Sequence, residues 1–335
     1  MHDPHCAHIM ESTLRTCACR SGHSAHAMEK TMRRNTILVG IICLALLVPF
    51  PSKAETKKPK LPRIKGSVLL VEDFPAGLAL TTETTTSVIA SGGDWMIAPS
   101  MTSDGQTIAS ARPVPGDPPT ARPKLTVGTY SVATAKWTAY ADLAVFGGTI
   151  AISPDGSRLA CAWSPRAGAT SILRFLDLKT GTISTGPEST RDGGEISWSP
   201  DSRRIVFQQA SKIIVLDTMT GVTRAIADGI LPAWSPSGEW IAYFHDSRLQ
   251  LVRPDGSGSR TLAKRGWLES FDQTPVWSPD SRSILIQTSQ QESILPLVDI
   301  SILEIASRKR ITRFRMASPV YAWIAPRERN EPTSP

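Results

Sequence analysis

Cysteine and histidine are almost absent from the larger part of this chain. The 335 residues include five cysteines and six histidines, but after residue 54 only Cys161 and His245 remain. A single cysteine cannot form an intramolecular disulfide, so the fold must be stabilised by its core. A single histidine gives no basis for a histidine-rich metal centre. We predict no metal site and no cofactor.

Helical periodicity is missing as well. After residue 54 no segment sustains the 3.6-residue apolar repeat of an amphipathic helix. Short runs rich in β-branched and aromatic residues occur instead, separated by Gly, Pro, Asp and Ser. The sequence therefore predicts an all-β fold, and a body of about 280 residues is long enough to bury a sizeable core.

A long apolar run lies near the amino terminus. Arg33 and Arg34 precede the run 36–50, and a small-x-small pattern ends at Ala54. A basic segment, an apolar core and such a cleavage site predict a signal peptide over residues 28–54. The run is shorter than the roughly 20 residues of a spanning helix, and an uncleaved anchor is the alternative. We expect a periplasmic or secreted protein with no stable membrane span after cleavage.

Four further segments surround this signal. Residues 1–27 hold five histidines and three cysteines, which can ligate zinc or copper. We interpret them instead as an extension outside the mature protein, disordered or arising from an upstream start codon. We assign 55–65 to a basic, Pro-containing linker, 66–326 to the folded domain and 327–335 to a disordered tail.

Lys and Arg number 37 against 30 Asp and Glu, a balance that predicts no nucleic-acid partner.

The tetrapeptide Ser-Pro-Asp-Gly recurs along the folded domain with small variations. Proline presets such a turn, and aspartate can bond to the backbone just after it. The spacing of roughly 36 to 50 residues is typical of repeats in which each unit is covered by its neighbours. The best copies lie at 153–156, 199–202, 235–238 and 278–281, with a weaker copy at 103–105 and a decayed one at 323–326.

Each repeat contains four short strands. Between residues 195 and 229, turns separate four apolar runs, and the last turn ends at Gly221 as in a tight hairpin. Four antiparallel strands joined by turns form a propeller blade. Five blades begin with their own first strand, and a sixth begins near Trp323 without its other strands. We predict a six-bladed β-propeller of four-stranded antiparallel blades, with the last blade closed by N-terminal strands within 67–89.

The repeat resembles that of a known family. Trp-Ser-Pro-Asp-(Gly/Ser), then a strand ending in Asp and a Thr-Gly or Asp-Gly turn, is similar to the WD-like repeat of TolB-type periplasmic proteins over roughly 95–323. This resemblance implies a six-bladed propeller that binds a peptidoglycan-associated lipoprotein and the Tol machinery without catalysis. TolB proteins also carry an amino-terminal α/β domain, which we expect to be lacking here because 55–65 is only a linker. Propellers of prolyl-oligopeptidase-type peptidases share such repeats, but no Gly-x-Ser-x-Gly nucleophile elbow occurs in this sequence.

Repeated aspartates and tryptophans have structural interpretations. Asp155, Asp201 and Asp280 suggest a ring of metal-binding carboxylates, but an aspartate in a turn more often bonds to its own backbone. The repeated tryptophans suggest a ligand cage, but a large ring at one strand position also fills the space between sheets. We interpret both sets as structural. The tryptophans are Trp198, Trp234, Trp277 and Trp323.

Functional side chains are expected on the face opposite the Ser-Pro-Asp turns, near the channel mouth. We call this the loop face; it is formed by the loops that enter each first strand and join second to third strands. Trp267 lies beside acidic residues and has the profile of an interface anchor. His245 could act as a general base, but a lone histidine without a placed Ser, Cys or carboxylate partner is more often structural. The candidate binding residues are Asp192, Glu195, Asp228, His245, Asp246, Trp267, Glu269 and Asp272.

No catalytic constellation is recognisable, so the sequence predicts a monomeric, non-catalytic propeller. Its loop face is expected to bind a protein, peptide or glycan of the cell envelope, by analogy at the level of the fold. The alternative is a propeller enzyme of the lactonase or lyase type that uses carboxylates at the channel mouth.

Overall fold

The computed structural model describes residues 68–73, 77–81, 86–90, 97–113, 125–143, 149–163, 170–191, 195–263, 273–289, 298–316 and 319–325. The chain divides into a unit of residues 1–58 and a unit of residues 59–335, and every described residue lies in the second. The predicted extension, signal peptide, linker and tail lie outside the described residues. Within the described ranges no helix is long and apolar enough to cross a membrane.

The described residues form six four-stranded antiparallel sheets. The first three strands are β1 (Val68–Asp73), β2 (Gly77–Thr81) and β3 (Thr86–Ala90). Blade 1 comprises β4 (Ile97–Met101), β5 (Thr107–Pro113), β6 (Leu125–Ser131) and β7 (Lys136–Leu143). Blade 2 comprises β8 (Ile150–Ile152), β9 (Arg158–Trp163), β10 (Thr170–Asp177) and β11 (Ile183–Arg191).

The remaining strands follow the same order. Blade 3 comprises β12 (Ile196–Trp198), β13 (Arg204–Gln209), β14 (Lys212–Asp217) and β15 (Thr223–Asp228). Blade 4 comprises β16 (Ile230–Trp234), β17 (Ile241–His245), β18 (Arg248–Val252) and β19 (Arg260–Ala263). Blade 5 comprises β20 (Val276–Trp277), β21 (Ser283–Ser289), β22 (Val298–Glu304) and β23 (Arg310–Met316), and the last strand is β24 (Val320–Ile324).

The sixth sheet joins the two ends of the described chain. Its order is β24-β1-β2-β3, and β24 pairs with β1 through Val68 opposite Ile324 and Leu69 opposite Trp323. We call it the composite sheet. The prediction of an all-β propeller with four-stranded antiparallel blades is confirmed, and the N-terminal strands do pair with the last strand. Contiguous segments form five blades rather than six, so a count of six requires the composite sheet to be counted as a blade.

Apolar side chains fill the spaces between neighbouring sheets. Phe207 and Leu173, from blades 3 and 2, belong to one buried cluster, and Phe244 of blade 4 shares another with Trp277 of blade 5. The composite sheet packs in the same way on both sides. Ala79 of β2 lies in a cluster with Leu285 of blade 5, and Leu78 of β2 in one with Ile108 and Tyr130 of blade 1. Each blade therefore depends on its neighbours for burial, as expected for a repeat.

The Ser-Pro-Asp turns are built as the sequence predicts. The hydroxyl of Ser199 donates to the carboxylate of Asp201, which also accepts the backbone N–H of Arg203 at 3.1 Å. Asp155 and Asp280 accept the equivalent bonds, from Ser153 and Ser278, at 2.6 Å each. The interpretation of the three aspartates as turn caps is confirmed.

The fourth turn position needs a left-handed backbone. It is glycine at Gly156 and Gly238, with φ of 71° and 77°, but serine at Ser202 and Ser281, with φ of 57° and 58°. A non-glycine residue is uncommon in this region of φ. Each serine makes a contact that glycine cannot, because its hydroxyl oxygen accepts a backbone N–H of the preceding blade. The N–H of Asp155 lies 3.2 Å from Ser202 Oγ, and that of Ser237 lies 2.9 Å from Ser281 Oγ.

Arginine and tryptophan side chains also connect neighbouring blades. Arg158 of blade 2 lies 5.0 Å from the ring centroid of Trp198, donates to Thr218 Oγ1 at 3.0 Å and donates to the carbonyl of Ser202. Trp198 Nε1 in turn donates to the carbonyl of Ala151 at 3.0 Å. The same indole bond links blades 5 and 4, from Trp277 to the carbonyl of Ala233. The packing role predicted for the repeated tryptophans is confirmed at Trp198 and Trp277.

Gln287 connects blade 5 to the composite sheet. Its side chain is 1 % exposed, and its Nε2 donates to the carbonyl of Val320 at 2.7 Å while its Oε1 accepts the N–H of Val320 at 2.7 Å. Val320 is the first residue of β24, the strand that pairs with β1. One buried amide therefore satisfies both backbone groups at the start of the strand that joins the chain ends.

Replacing Gln287 with leucine should lower the free energy of unfolding by about 2–4 kcal/mol, because the buried N–H and C=O of Val320 lose their partners. Urea unfolding followed by tryptophan fluorescence measures the effect. The control is Gln209→Leu, which removes an exposed glutamine and should change stability by less than about 0.5 kcal/mol. Equal losses in the two variants would contradict this role of Gln287.

The turn aspartates should make stability depend on acidity. Burial alone would raise the pKa of Asp201, but hydrogen bonds from Ser199 and Arg203 and the charges of Arg204 and Arg203 lower it below the ordinary value of 3.8. Because the pKa is lower in the folded state, the ionised Asp201 carboxylate stabilises the fold above pH 3.8. This contribution is lost as the pH falls through the folded-state pKa. The stability difference between the protein and Asp201→Asn should therefore shrink as the pH falls from 6 to 3. Urea unfolding across this range measures it, with exposed Glu188→Gln as the control for net charge.

Candidate functional site

The first strands of the sheets surround a central channel. β24 contacts both β20 and β4, and β12 contacts both β8 and β16. The channel encloses a cavity of about 560 Å³ lined by residues on or beside the first strands of all five blades and by β24. This volume lies within the range of small-molecule sites. The ring of first strands therefore creates a cavity that no single blade could form.

Glu195 is the one carboxylate among the described residues that line this cavity. It lies directly before β12, four residues ahead of the turn serine Ser199, and Thr149 and Thr274 occupy the same position in blades 2 and 5. All three residues line the cavity. Burial raises the pKa of Glu195, while hydrogen-bond interactions with the hydroxyls of Thr274 and Thr149 act in the opposite direction. The side chain is only half-buried by surface area, because solvent reaches it through the channel.

A second group of candidate residues lies between blades 3 and 4 on the loop face. The carboxylate of Asp228, at the end of β15, is 2.9 Å from Lys212 Nζ, and this partner, with the charge of His245, lowers its pKa. His245 Nε2 is 3.5 Å from Asp246 Oδ2. We call these four residues the surface cluster.

Local turn geometry positions part of the surface cluster. β17 ends at His245 and β18 begins at Arg248, with a two-residue turn between them. Both turn residues, Asp246 and Ser247, have positive φ, at 47° and 55°. Two consecutive positive φ values are typical of the type I′ turn, whose twist matches that of the flanking strands. The hairpin therefore holds the Asp246 carboxylate beside His245 and exposed to solvent.

The structure separates the predicted binding residues. Glu195 lines the channel, whereas Asp228, His245 and Asp246 are not among the residues that line it. The other candidates, Asp192, Trp267, Glu269 and Asp272, lie outside the described residues, so their role stays a prediction. Among the described residues no group of three or more His, Cys, Asp or Glu is arranged to hold a metal ion.

Several residues that line the channel are not among the binding residues predicted from the sequence. Thr149 and Thr274 share the repeat position of Glu195, so a comparison of that position across repeats would have found them. Trp323 shares the repeat position of Trp198 but differs in its bonding, because its buried Nε1 has no hydrogen-bond partner in the structure. The sequence signals a departure at this repeat, because Ile324-Ala325-Pro326 stands where Ser-Pro-Asp follows Trp198, but it does not indicate the unpaired indole.

Comparison with known proteins supports the fold. No family model matches the chain, and no curated protein matches it. Among solved structures, TolB from Acinetobacter baumannii aligns over 80 % of this chain and 68 % of its own, with a TM-score of 0.61 and 18 % identity. The chain is TolB-like in fold. A TolB-like protein from Agrobacterium tumefaciens aligns over 75 % of this chain and 90 % of its own, with a TM-score of 0.53 and 17 % identity.

An enzyme shares the same architecture. An oligogalacturonate lyase in complex with manganese aligns over 73 % of both chains, with a TM-score of 0.52 and 13 % identity. Identities this low establish the fold and not the activity. The TolB-like propeller predicted from the repeat is thus supported, while both functional alternatives are represented among similar folds.

Replacing Glu195 with glutamine should stabilise the protein at neutral and alkaline pH. A raised pKa means that the folded state disfavours the ionised carboxyl, so its unfavourable contribution grows as the pH rises above the ordinary value of 4.5. The variant should exceed the parent in unfolding free energy at pH 8, and the difference should vanish near pH 4. Chemical denaturation at the two pH values tests this, with exposed Glu239→Gln as the matched control. A variant less stable than the parent at pH 8 would refute the assignment.

Proposed function

We propose that this chain is an exported, non-catalytic, TolB-like propeller that binds a protein, peptide or glycan partner through its loop face. The observation that supports this most directly is the contrast between the two faces. On the turn face, Asp155, Asp201 and Asp280 each accept bonds within their own turns. On the loop face, the surface cluster and the channel mouth present polar groups to solvent. The charged side chains of the surface cluster, in contrast, cap no such turn and are exposed to solvent, which supports the loop face as the binding surface.

The scaffold beneath the loop face is well suited to binding. Indole and guanidinium contacts connect blades 2 and 3, and Gln287 connects blade 5 to the composite sheet, which in this proposal serves as a sixth blade. A surface held in place before binding avoids part of the entropy loss that association requires.

Periplasmic or secreted location is part of the proposal, and it is supported by the signal-like pattern around residues 36–50.

The second candidate is an enzyme of the lyase or lactonase type. Glu195 favours it, since the carboxylate lies inside the channel, and an oligogalacturonate lyase in complex with manganese shares the fold. In this case Glu195 would contribute a metal ligand or a general base. Metal analysis of the purified protein separates the candidates. A stoichiometric bound manganese or calcium that is lost in Glu195→Gln would favour the enzyme over the non-catalytic binding protein.

Site-specific photo-crosslinking tests partner binding. A photoreactive amino acid replaces His245 on the loop face, and in a matched variant it replaces Met219, which is 74 % exposed on the turn face. In cells that make the protein, illumination should yield a discrete adduct from position 245 and none from position 219, because only the loop face is expected to bind. Gel electrophoresis and mass spectrometry identify the adduct. Equal labelling from both positions, or from position 219 alone, would contradict the proposed function.

A further inference from the structure

The channel combines one carboxylate with a set of neutral lining residues. The described residues around the cavity include Glu195 but no Lys, Arg or His. Glu195 is half-buried, and an ionised group that is partly removed from water loses solvation that protein dipoles replace only in part. Thr149 and Thr274 bring hydroxyls to the carboxyl, yet hydroxyls leave its charge uncompensated. A cation that entered the channel would therefore meet an unpaired counter-ion.

Two further atoms in the channel have unused hydrogen-bonding capacity. Thr274 Oγ1 is buried and, although it lies beside the Glu195 carboxyl, it has no aligned hydrogen-bond partner. Trp323 Nε1 is likewise buried without a partner, and because an indole N–H only donates, it calls for an acceptor such as water rather than for a cation. Buried polar atoms are normally paired, and exceptions often mark a place where water or a ligand binds. Both residues line the same cavity as Glu195, so two buried polar atoms of the cavity lack a hydrogen-bond partner.

The walls restrict what kind of cation fits. Beside Glu195, apolar residues such as Pro275 and Val276 line the cavity together with polar ones, so its surface has an apolar part within a predominantly polar wall. A hydrated inorganic ion would leave these apolar surfaces uncovered, whereas an alkyl chain would cover them. The favoured ligand therefore has a slender apolar chain that ends in a cationic hydrogen-bond donor.

We propose that the channel binds a primary ammonium group carried on an alkyl chain, with Glu195 as its counter-ion and the Thr149 and Thr274 hydroxyls as acceptors. An ammonium has three N–H donors, which match this carboxylate and these two hydroxyls. Either a free alkylamine or a lysine side chain supplies the chemistry. The channel site is separate from the surface cluster, so failure of amine binding would leave the crosslinking test of partner binding unaffected.

Calorimetric titration of the purified chain with 1-aminopentane at pH 7 tests the proposal, with tryptophan fluorescence as a second readout. The neutral isostere 1-pentanol shows how much binding comes from the alkyl chain alone. Binding of the amine should be saturable and at least about 10-fold tighter than that of the alcohol, a difference of about 1.4 kcal/mol. N-acetyl-lysine amide, titrated in parallel, distinguishes the sources. Tighter binding of 1-aminopentane indicates a free amine, and comparable or tighter binding of the lysine derivative indicates a side chain.

Variants locate the site. Glu195→Gln should weaken amine binding at least about 10-fold, and Thr274→Val should weaken it about threefold through loss of one hydrogen bond. The matched control is Glu239→Gln, which removes an exposed carboxyl outside the channel and should leave the affinity unchanged. The proposal is overturned if 1-pentanol binds as tightly as the amine, if neither amine binds, or if neither channel variant weakens binding while its folding remains intact by circular dichroism.

Discussion

The fold depends on the fact that a four-stranded blade cannot cover its own two apolar faces. Each blade must pack between two neighbours, so the series is stable only when its ends meet. The pairing of β24 with β1 brings the ends of the described chain into one sheet, and this sheet packs against blade 5 on one side and blade 1 on the other. This pairing also covers one backbone edge of β1 and one of β24 that would otherwise be open.

Closure of the ring in turn creates the site. First strands from the blades and from the composite sheet converge on one channel, where Glu195 meets hydroxyls from two other blades. The two kinds of carboxylate in the molecule differ accordingly. In a turn such as that of Asp201, hydrogen bonds and nearby charges overcome burial and favour the ionised form. At Glu195 burial dominates and disfavours ionisation. The ionised Glu195 carboxyl therefore lowers the stability of the fold, and residues that do so are expected at functional sites.

Local features could be predicted from the sequence, and contacts between distant residues could not. The run Lys212–Asp217 forms a strand and Ser199 with Asp201 forms a turn because the determining residues are adjacent in the chain. Glu195 was identified from its position before a first strand, but its approach to Thr274 depends on ring closure. The link between Gln287 and Val320 spans 33 residues, and nothing near either residue indicates it.

Among the described residues of the channel, Glu195 is a carboxylate without a cationic partner. The most direct measurement is a carbon-13 NMR titration of the Glu195 side-chain carboxyl, assigned by comparison with Glu195→Gln. We expect a pKa above the ordinary 4.5 in the protein alone, and a lower pKa when 1-aminopentane is present, because a bound cation favours the ionised form. A pKa at or below 4.5 in the protein alone, or one that the amine does not change, would contradict this expectation.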